Sequence, residues 1–316
     1  MKKILVILML LAACTPKEQK FMDATGAGSL TETHFISVDG AKLPYKKWIP
    51  ATQPKAVLLG LHGFNDHKGS YKSLGEYLAK NDIALYAYDQ RGFGESENIG
   101  IWAGEQNMMR DAEVNLRLLK QKYPDTPVYL VGESMGGAVV ANLFAKDAKP
   151  DVDGVILIAP AVWGAEGMSP FLRTGGWILA HTIPYAKFTG EGFEKQASDN
   201  IEMLRELGKD DLFIKNTRLD STYGLMNLMG NAYKSGADVG GADLLILYGD
   251  TDELVPEKAM KGFVGAIKND YKFVYYPDSY HMLTRGLGAD IVLQDIVSWV
   301  DNRTVASGYL AEVRNF

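Results

Sequence analysis

Residues 132–136, Gly132-Glu133-Ser134-Met135-Gly136, place one hydroxyl between glycines two positions before and two positions after it. Such a hydroxyl can attack a carbonyl carbon, provided that the chain turns sharply beneath it. The flanking residues suit a sharp turn. Pro127 to Val131 is a β-forming run, and Val139, Val140, Leu143 and Phe144 recur behind the serine at helical spacing. A strand running straight into a helix strains the serine backbone, and the two glycines let strand and helix approach closely. The tripeptide Gly-Glu-Ser also occurs at Gly94 to Ser96, but Asn98 stands where the second glycine would be needed. Ser96, in the loop segment "YDQRGFGES", therefore reads as structural.

A nucleophilic serine needs a base to accept its proton and a third group to orient that base. Five histidines are available. His34 lies on the first strand, His62 and His67 precede the serine, and His181 falls in a later insertion. His281, in "PDSYHML", follows the last predicted strand, where the chain order serine, acid, histidine of α/β-hydrolases puts the base. For the acid, Asp250 and Asp252 both follow "DLLILYG" at the C-terminal end of a strand, and Asp278 is a weaker third choice. Spacing does not separate them. Ester hydrolysis also needs donors for the oxyanion of the tetrahedral intermediate. The Met135 N–H is one candidate; the Phe64 N–H, in the sharp turn after "VLLGLHG", is the other. His62 reads as a brace for that turn rather than a catalyst.

The elements that must hold these groups are visible as apolar runs. "HFISVDGAKLPYKKWI" predicts a hairpin around Asp39-Gly40. The runs "AVLLGLHG", "ALYAYDQRG", "VYLVGES", "GVILIAP", "DLLILYGD" and "KFVYYPDS" alternate with helical segments at 71–80, 111–122, 256–267 and 291–300. Doubly buried strands alternating with helices predict a mostly parallel sheet of about eight strands flanked by helices. Between Ala161 and Gly241 the alternation breaks. That stretch carries Trp163, Met168, Phe171, Leu172, Trp177, Ile178, Leu179 and Tyr185, and it is too long for a plain loop. It predicts a helical cap, residues 161–241, over the C-terminal edge of a core formed by residues 33–160 and 242–303.

Composition narrows the class. A chain of 316 residues, 47% hydrophobic, can bury a sizeable core. The net charge of −6, without basic blocks, offers no surface for nucleic acid. No Gly-x-Gly-x-x-Gly follows the first strand, the turn at Gly132 to Gly137 lacks the lysine of a phosphate-binding loop, and no zinc motif is present. The chemistry outlined above needs neither metal nor organic cofactor.

The first residues read as processing rather than fold: Lys2 and Lys3, an apolar run from Ile4 to Leu11, then small residues ending at Cys14. The run is too short to span a bilayer. Leu11-Ala12-Ala13-Cys14 resembles a bacterial lipobox, so residues 1–13 are expected to be a signal peptide and Cys14, the single cysteine, to carry lipid. Several acyl chains anchor stably, at about 0.8 kcal/mol per buried CH₂. Residues 14–32 are expected to be a polar tether. Thr15, where related lipoproteins of the inner membrane tend to carry Asp, points to the outer membrane facing the periplasm.

Together "LHGFNDHKGSY", "YDQRGFGES", "GESMGG", "LYGDTDELVP" and "YHML" resemble the monoacylglycerol lipase and lysophospholipase group of α/β-hydrolases, grouped with the serine aminopeptidase-like hydrolases. The likeness runs from about Thr33 to Asn302. It implies the α/β-hydrolase fold with a cap, Ser134 as nucleophile, His281 as base, and Phe64 and Met135 as oxyanion donors. It selects Asp252 as the acid, because the pattern places Asp three residues after Gly249. It also implies a small-molecule acyl ester as substrate; protein partners are not indicated. Two positions depart from the group: Glu133 stands where many members have His, putting a carboxylate beside a developing oxyanion, and Phe64 is bulkier than the small residue often found there. Other readings of the same triad are a peptidase, with Glu166, Glu191 or Glu194 receiving a substrate amino terminus, an acyltransferase, or a thioesterase. A non-catalytic ligand-binding lipoprotein is a reading of a different class.

Overall fold

The structure, a computed structural model, describes residues 15–163, 170–189 and 195–312. Its strands are β1 (Ser29–Leu30), β2 (His34–Ile36), β3 (Lys42–Trp48), β4 (Ala56–Leu61), β5 (Ile83–Tyr88), β6 (Val128–Glu133), β7 (Gly154–Ile158), β8 (Lys187–Phe188), β9 (Thr217–Arg218), β10 (Leu244–Gly249) and β11 (Tyr271–Tyr276). The α-helices are α1 (Lys72–Lys80), α2 (Glu105–Lys122), α3 (Met135–Phe144), α4 (Pro170–Thr182), α5 (Ile201–Lys209), α6 (Leu219–Ser235), α7 (Glu257–Ala266) and α8 (Ala289–Asn302).

Strands β4, β5, β6, β7 and β10 are buried at every position, which is why they read as unbroken apolar runs rather than alternating ones. They form the middle of a nine-stranded sheet in the order β1-β2-β3-β5-β4-β6-β7-β10-β11. From β5 to β11 the pairing is parallel; β1, β2 and β3 join antiparallel at one edge. Two hydrophobic cores cover the two faces. One gathers Met108, Leu116, Val139, Leu143 and Phe263 from α2, α3 and α7; the other gathers Leu74, Leu78, Ile296 and Trp299 from α1 and α8. This is the α/β-hydrolase architecture.

The strand count exceeds the expected eight because Ser29 and Leu30 add an edge strand, β1, inside the stretch expected to be tether. Most of that stretch is docked. The Gln19 N–H donates to the Trp102 carbonyl, the Thr25 and Gly26 N–H groups donate to Val38, and Arg117 donates to the Ala27 carbonyl. Polar residues without periodicity looked unstructured, yet their backbone groups find partners on loops and on α2 that are remote in sequence. The core also continues past residue 303: Tyr275 donates to the Tyr309 carbonyl and Ala311 to Phe273, along the outer edge of β11. The insertion after β7 carries α4, α5 and α6 and the two-residue pair β8–β9. Helix α6 packs against α3, where Asn142 donates to the Leu228 carbonyl.

Candidate active site

Parallel pairing brings four loops to one edge of the sheet. Leu61 at the end of β4 pairs with Gly132 of β6, Glu133 with Ile158 of β7, Ile158 with Leu247 of β10, and Gly249 with Tyr276 of β11. Ser134, Asp252, His281 and Phe64 all lie just beyond these ends.

Ser134 has φ +52° and ψ −114°, a conformation costly for any residue with a Cβ. Its surroundings hold it there. The Ser134 N–H donates to the Ile158 carbonyl, and the Ser134 carbonyl accepts from Ala138 and Ala161. The glycines make the room that the sequence pattern implied. A Cβ on Gly132 would lie 2.5 Å from the Gly136 carbonyl oxygen, and one on Gly136 would lie 2.0 Å from that of Leu61.

His281 is buried, and its Nδ1 lies 2.7 Å from Asp252 Oδ2. The other oxygen of Asp252 accepts from the Leu254 and Val255 N–H groups, at 2.8 and 2.9 Å, so the carboxylate cannot turn away. Asp250 is exposed and holds the Thr251 hydroxyl; Asp278 is exposed as well. Of the three acids open on spacing, Asp252 is the one that meets the imidazole. Burial pushes the His281 pKa down, but the charge and hydrogen bond of Asp252, with the nearby Glu133, outweigh it, and the net shift is upward. Among the described residues the Ser134 hydroxyl makes no hydrogen bond.

Gly63 passes beside the serine: a Cβ placed on it would sit 3.4 Å from Ser134 Cβ. Phe64, the next residue, is partly buried, with its ring against Phe93 and Trp102. Met135, first residue of α3, is fully buried. His62 braces the turn. Its Nε2 accepts from the Gln90 N–H, so its Nδ1 carries the proton and donates to the Gly63 carbonyl, and burial lowers its pKa. Ser96 is likewise committed, accepting from the Gly92 and Phe93 N–H groups and donating to a backbone carbonyl. The His34 ring bonds its neighbour Thr33, and His181 stacks on Trp177.

Sequence reasoning missed the charge cluster under the elbow. Arg285 Nη2 lies 2.9 Å from Asp66 and 3.3 Å from Glu133, with both carboxylates buried and the guanidinium mostly so. Burial lowers the Arg285 pKa, but the two carboxylates raise it further, so the guanidinium stays charged. Glu133 is therefore a compensated charge, and its departure from the family pattern is answered by Arg285, four residues after His281. The acidic residue in "LHGFNDH" and the arginine in "YHMLTR" were the available signals. A second imidazole–carboxylate pair, His67 with Asp210 at 3.0 Å, ties the loop after β4 to the cap. Cys14, Glu166, Glu191 and Glu194 lie outside the described residues.

Residues 52–286 match the family described as "Serine aminopeptidase, S33". The chain belongs to this family. It is an α/β-hydrolase of the monoacylglycerol lipase-like group. Among curated relatives, mouse monoglyceride lipase is 27% identical over 282 residues, 87% of this chain and 92% of the relative. The monoacylglycerol lipase of Mycolicibacterium smegmatis is 26% identical over 275 residues, 85% of this chain and 96% of the relative. Among solved structures, a soluble variant of Saccharomyces cerevisiae monoglyceride lipase with a substrate analog superposes with TM-score 0.71 at 20% identity. That match covers 92% of this chain and 99% of the yeast chain, and it shows the shared fold. The strained serine, the buried imidazole–carboxylate pair and the braced turn after β4 are thus features of a member of this hydrolase family.

Proposed function

We propose that this carboxylic ester hydrolase cleaves fatty acyl esters of lipids, a monoacylglycerol or a lysophospholipid, through an acyl-Ser134 intermediate. Ser134 Oγ attacks the ester carbonyl while its proton passes to His281 Nε2. Asp252 holds the imidazole so that Nδ1–H faces the carboxylate and Nε2 faces the serine, and it stabilises the imidazolium that forms. The Met135 and Phe64 N–H groups receive the oxyanion. Collapse expels the alcohol, which takes the proton from Nε2, and water then repeats the sequence to release the fatty acid.

The observation that carries this reading is the 2.7 Å contact of His281 with Asp252 beside a serine held at φ +52°. A peptidase could use the same three groups. The lipid ester is favoured by the names of the relatives and by the apolar cap residues Phe171, Trp177, Ile178 and Leu179. The test is a panel of monoacylglycerols, lysophospholipids, short aryl esters and aminoacyl amides, run with the parent protein and Ser134→Ala. Ester turnover in the parent, lost by about 10⁴-fold or more in the variant, is expected. Amides hydrolysed in preference to esters, or unchanged turnover in the variant, would refute the assignment. The Leu11–Cys14 motif supports a lipid anchor on the cell envelope, with the outer membrane favoured by Thr15.

A further inference from the structure

The stretch expected to be a free tether is stitched between the core and the cap at a point that adjoins the candidate site. The Lys17 N–H donates to Asp220 Oδ2, 3.0 Å away, in the first turn of α6. Glu18 pairs with Trp102 as a parallel bridge, and the Gln19 side chain donates to the Ile101 carbonyl at 3.0 Å. On the core side, Arg110 of α2 donates to the Met22 carbonyl and lies 4.1 Å over the Phe21 ring.

Trp102 joins these contacts to the site. It is 5% exposed, and its indole lies so close to α6 that a Cβ on Gly224 would sit 2.4 Å from its ring. It also meets Phe64, with ring centroids 6.4 Å apart. A cavity of about 150 Å³ remains between Pro16–Glu18, Trp102 and α6. The strap is thus tied to the cap by the Lys17–Asp220 hydrogen bond and to the loop before α2 by Glu18 and Gln19, so it bridges α6 and the Trp102 loop.

We propose that residues 16–22 are a clamp on the cap: through Trp102 they set the spacing between α6 and the Phe64 loop, and so the fit of a long acyl chain. The proposal rests on the acyl-ester reading above. Leu225 and Met229 of α6, and Phe64 of the loop after β4, are partly buried apolar groups packed against the same core that holds Trp102. A long chain is affected by their spacing; a short acyl group, which reaches only the reacting atoms, is not.

The test uses the full chain in detergent with residues 16–22 deleted, and separately Lys17→Pro, which removes the donor to Asp220. KM for oleoyl glycerol is expected to rise about tenfold in the deletion, as expected for a displaced positioning element. In the same protein kcat/KM for para-nitrophenyl acetate is expected to stay within about twofold. A synthetic peptide of residues 15–22, added to the deletion protein, is expected to restore the oleoyl glycerol KM. Equal loss on both substrates, no change on either, or failure of the peptide to rescue would overturn the clamp. If the deletion protein does not fold, Lys17→Pro carries the same comparison, with a smaller rise in KM expected and an unchanged KM refuting it. Failure of the acyl-ester reading is seen separately, as oleoyl glycerol turnover that survives Ser134→Ala.

Discussion

At the residue scale, the two Gly-Glu-Ser serines make opposite predictions. Ser134→Ala removes a hydroxyl with no hydrogen bond among the described residues, so activity is expected to vanish while thermal unfolding stays near the parent. Ser96→Ala leaves the buried Gly92 N–H without an acceptor, while the Phe93 N–H keeps the Gln90 carbonyl, so it is expected to cost about 1–3 kcal/mol of stability and to keep activity. Denaturant titration and ester assays on both variants check the pair; loss of activity in Ser96→Ala at full stability would contradict it. His281 must be neutral to accept a proton, and its pKa is raised above 6.5, so activity is expected to fall as pH drops through that higher value. The stability contributed by the His281–Asp252 pair runs the other way, being complete below the unfolded imidazole value and lost as pH rises through the folded one. Glu133→Gln removes one of the charges that raise the imidazole, so the acid limb of kcat/KM is expected to move to lower pH. A limb that stays put or moves up would show that Glu133 is not felt at His281. Ser134 and His281 could be read from motif and chain order. Asp252 could not be told from Asp250 by spacing, because the choice is made by which carboxylate is buried and fixed by backbone donors.

At the element scale, the strand-turn-helix around Ser134 was legible because its glycines answer a local steric demand. Gly136→Ala would drive a methyl group into the Leu61 carbonyl, with a stability loss of more than about 4 kcal/mol expected. A parent-like melting temperature for that variant would mean that the elbow relaxes freely. The Asp66–Arg285–Glu133 cluster joins the turn after β4, the elbow and the loop after β11, and nothing local in the sequence announces it. Arg285→Met leaves two buried carboxylates unpaired and is expected to cost about 3–5 kcal/mol, measured by chemical denaturation. The docked stretch before β1 escaped pattern reading for the same reason: its partners, Val38, Trp102 and Asn107, are contributed by tertiary structure. The edge strand β1 pairs locally with β2, but two residues are too short a run to show a period.

At the scale of the whole molecule, the central sheet was legible because runs buried on both faces stand out from their surroundings. The boundaries were less so, since the core takes in residues on both sides of 33–303. Docking of the strap bears on the anchor proposed at Cys14. One residue, Thr15, separates Cys14 from Pro16, a span of at most about 7 Å, so a lipidated chain would hold the clamp and the neighbouring edge of α6 close to the bilayer. Cys14→Ser is expected to move the protein from the membrane fraction to the soluble fraction with its melting temperature unchanged. Retention in the membrane fraction would contradict the anchor.

The central claim is that Ser134, activated by His281 and Asp252, becomes acylated. Intact-protein and peptide mass spectrometry after brief reaction with a fluorophosphonate ester tests it most directly. The expected result is one adduct per chain, on the peptide bearing Ser134, with labelling slowed by orders of magnitude in His281→Ala. Labelling at another serine, or an unchanged rate without the imidazole, would contradict the account.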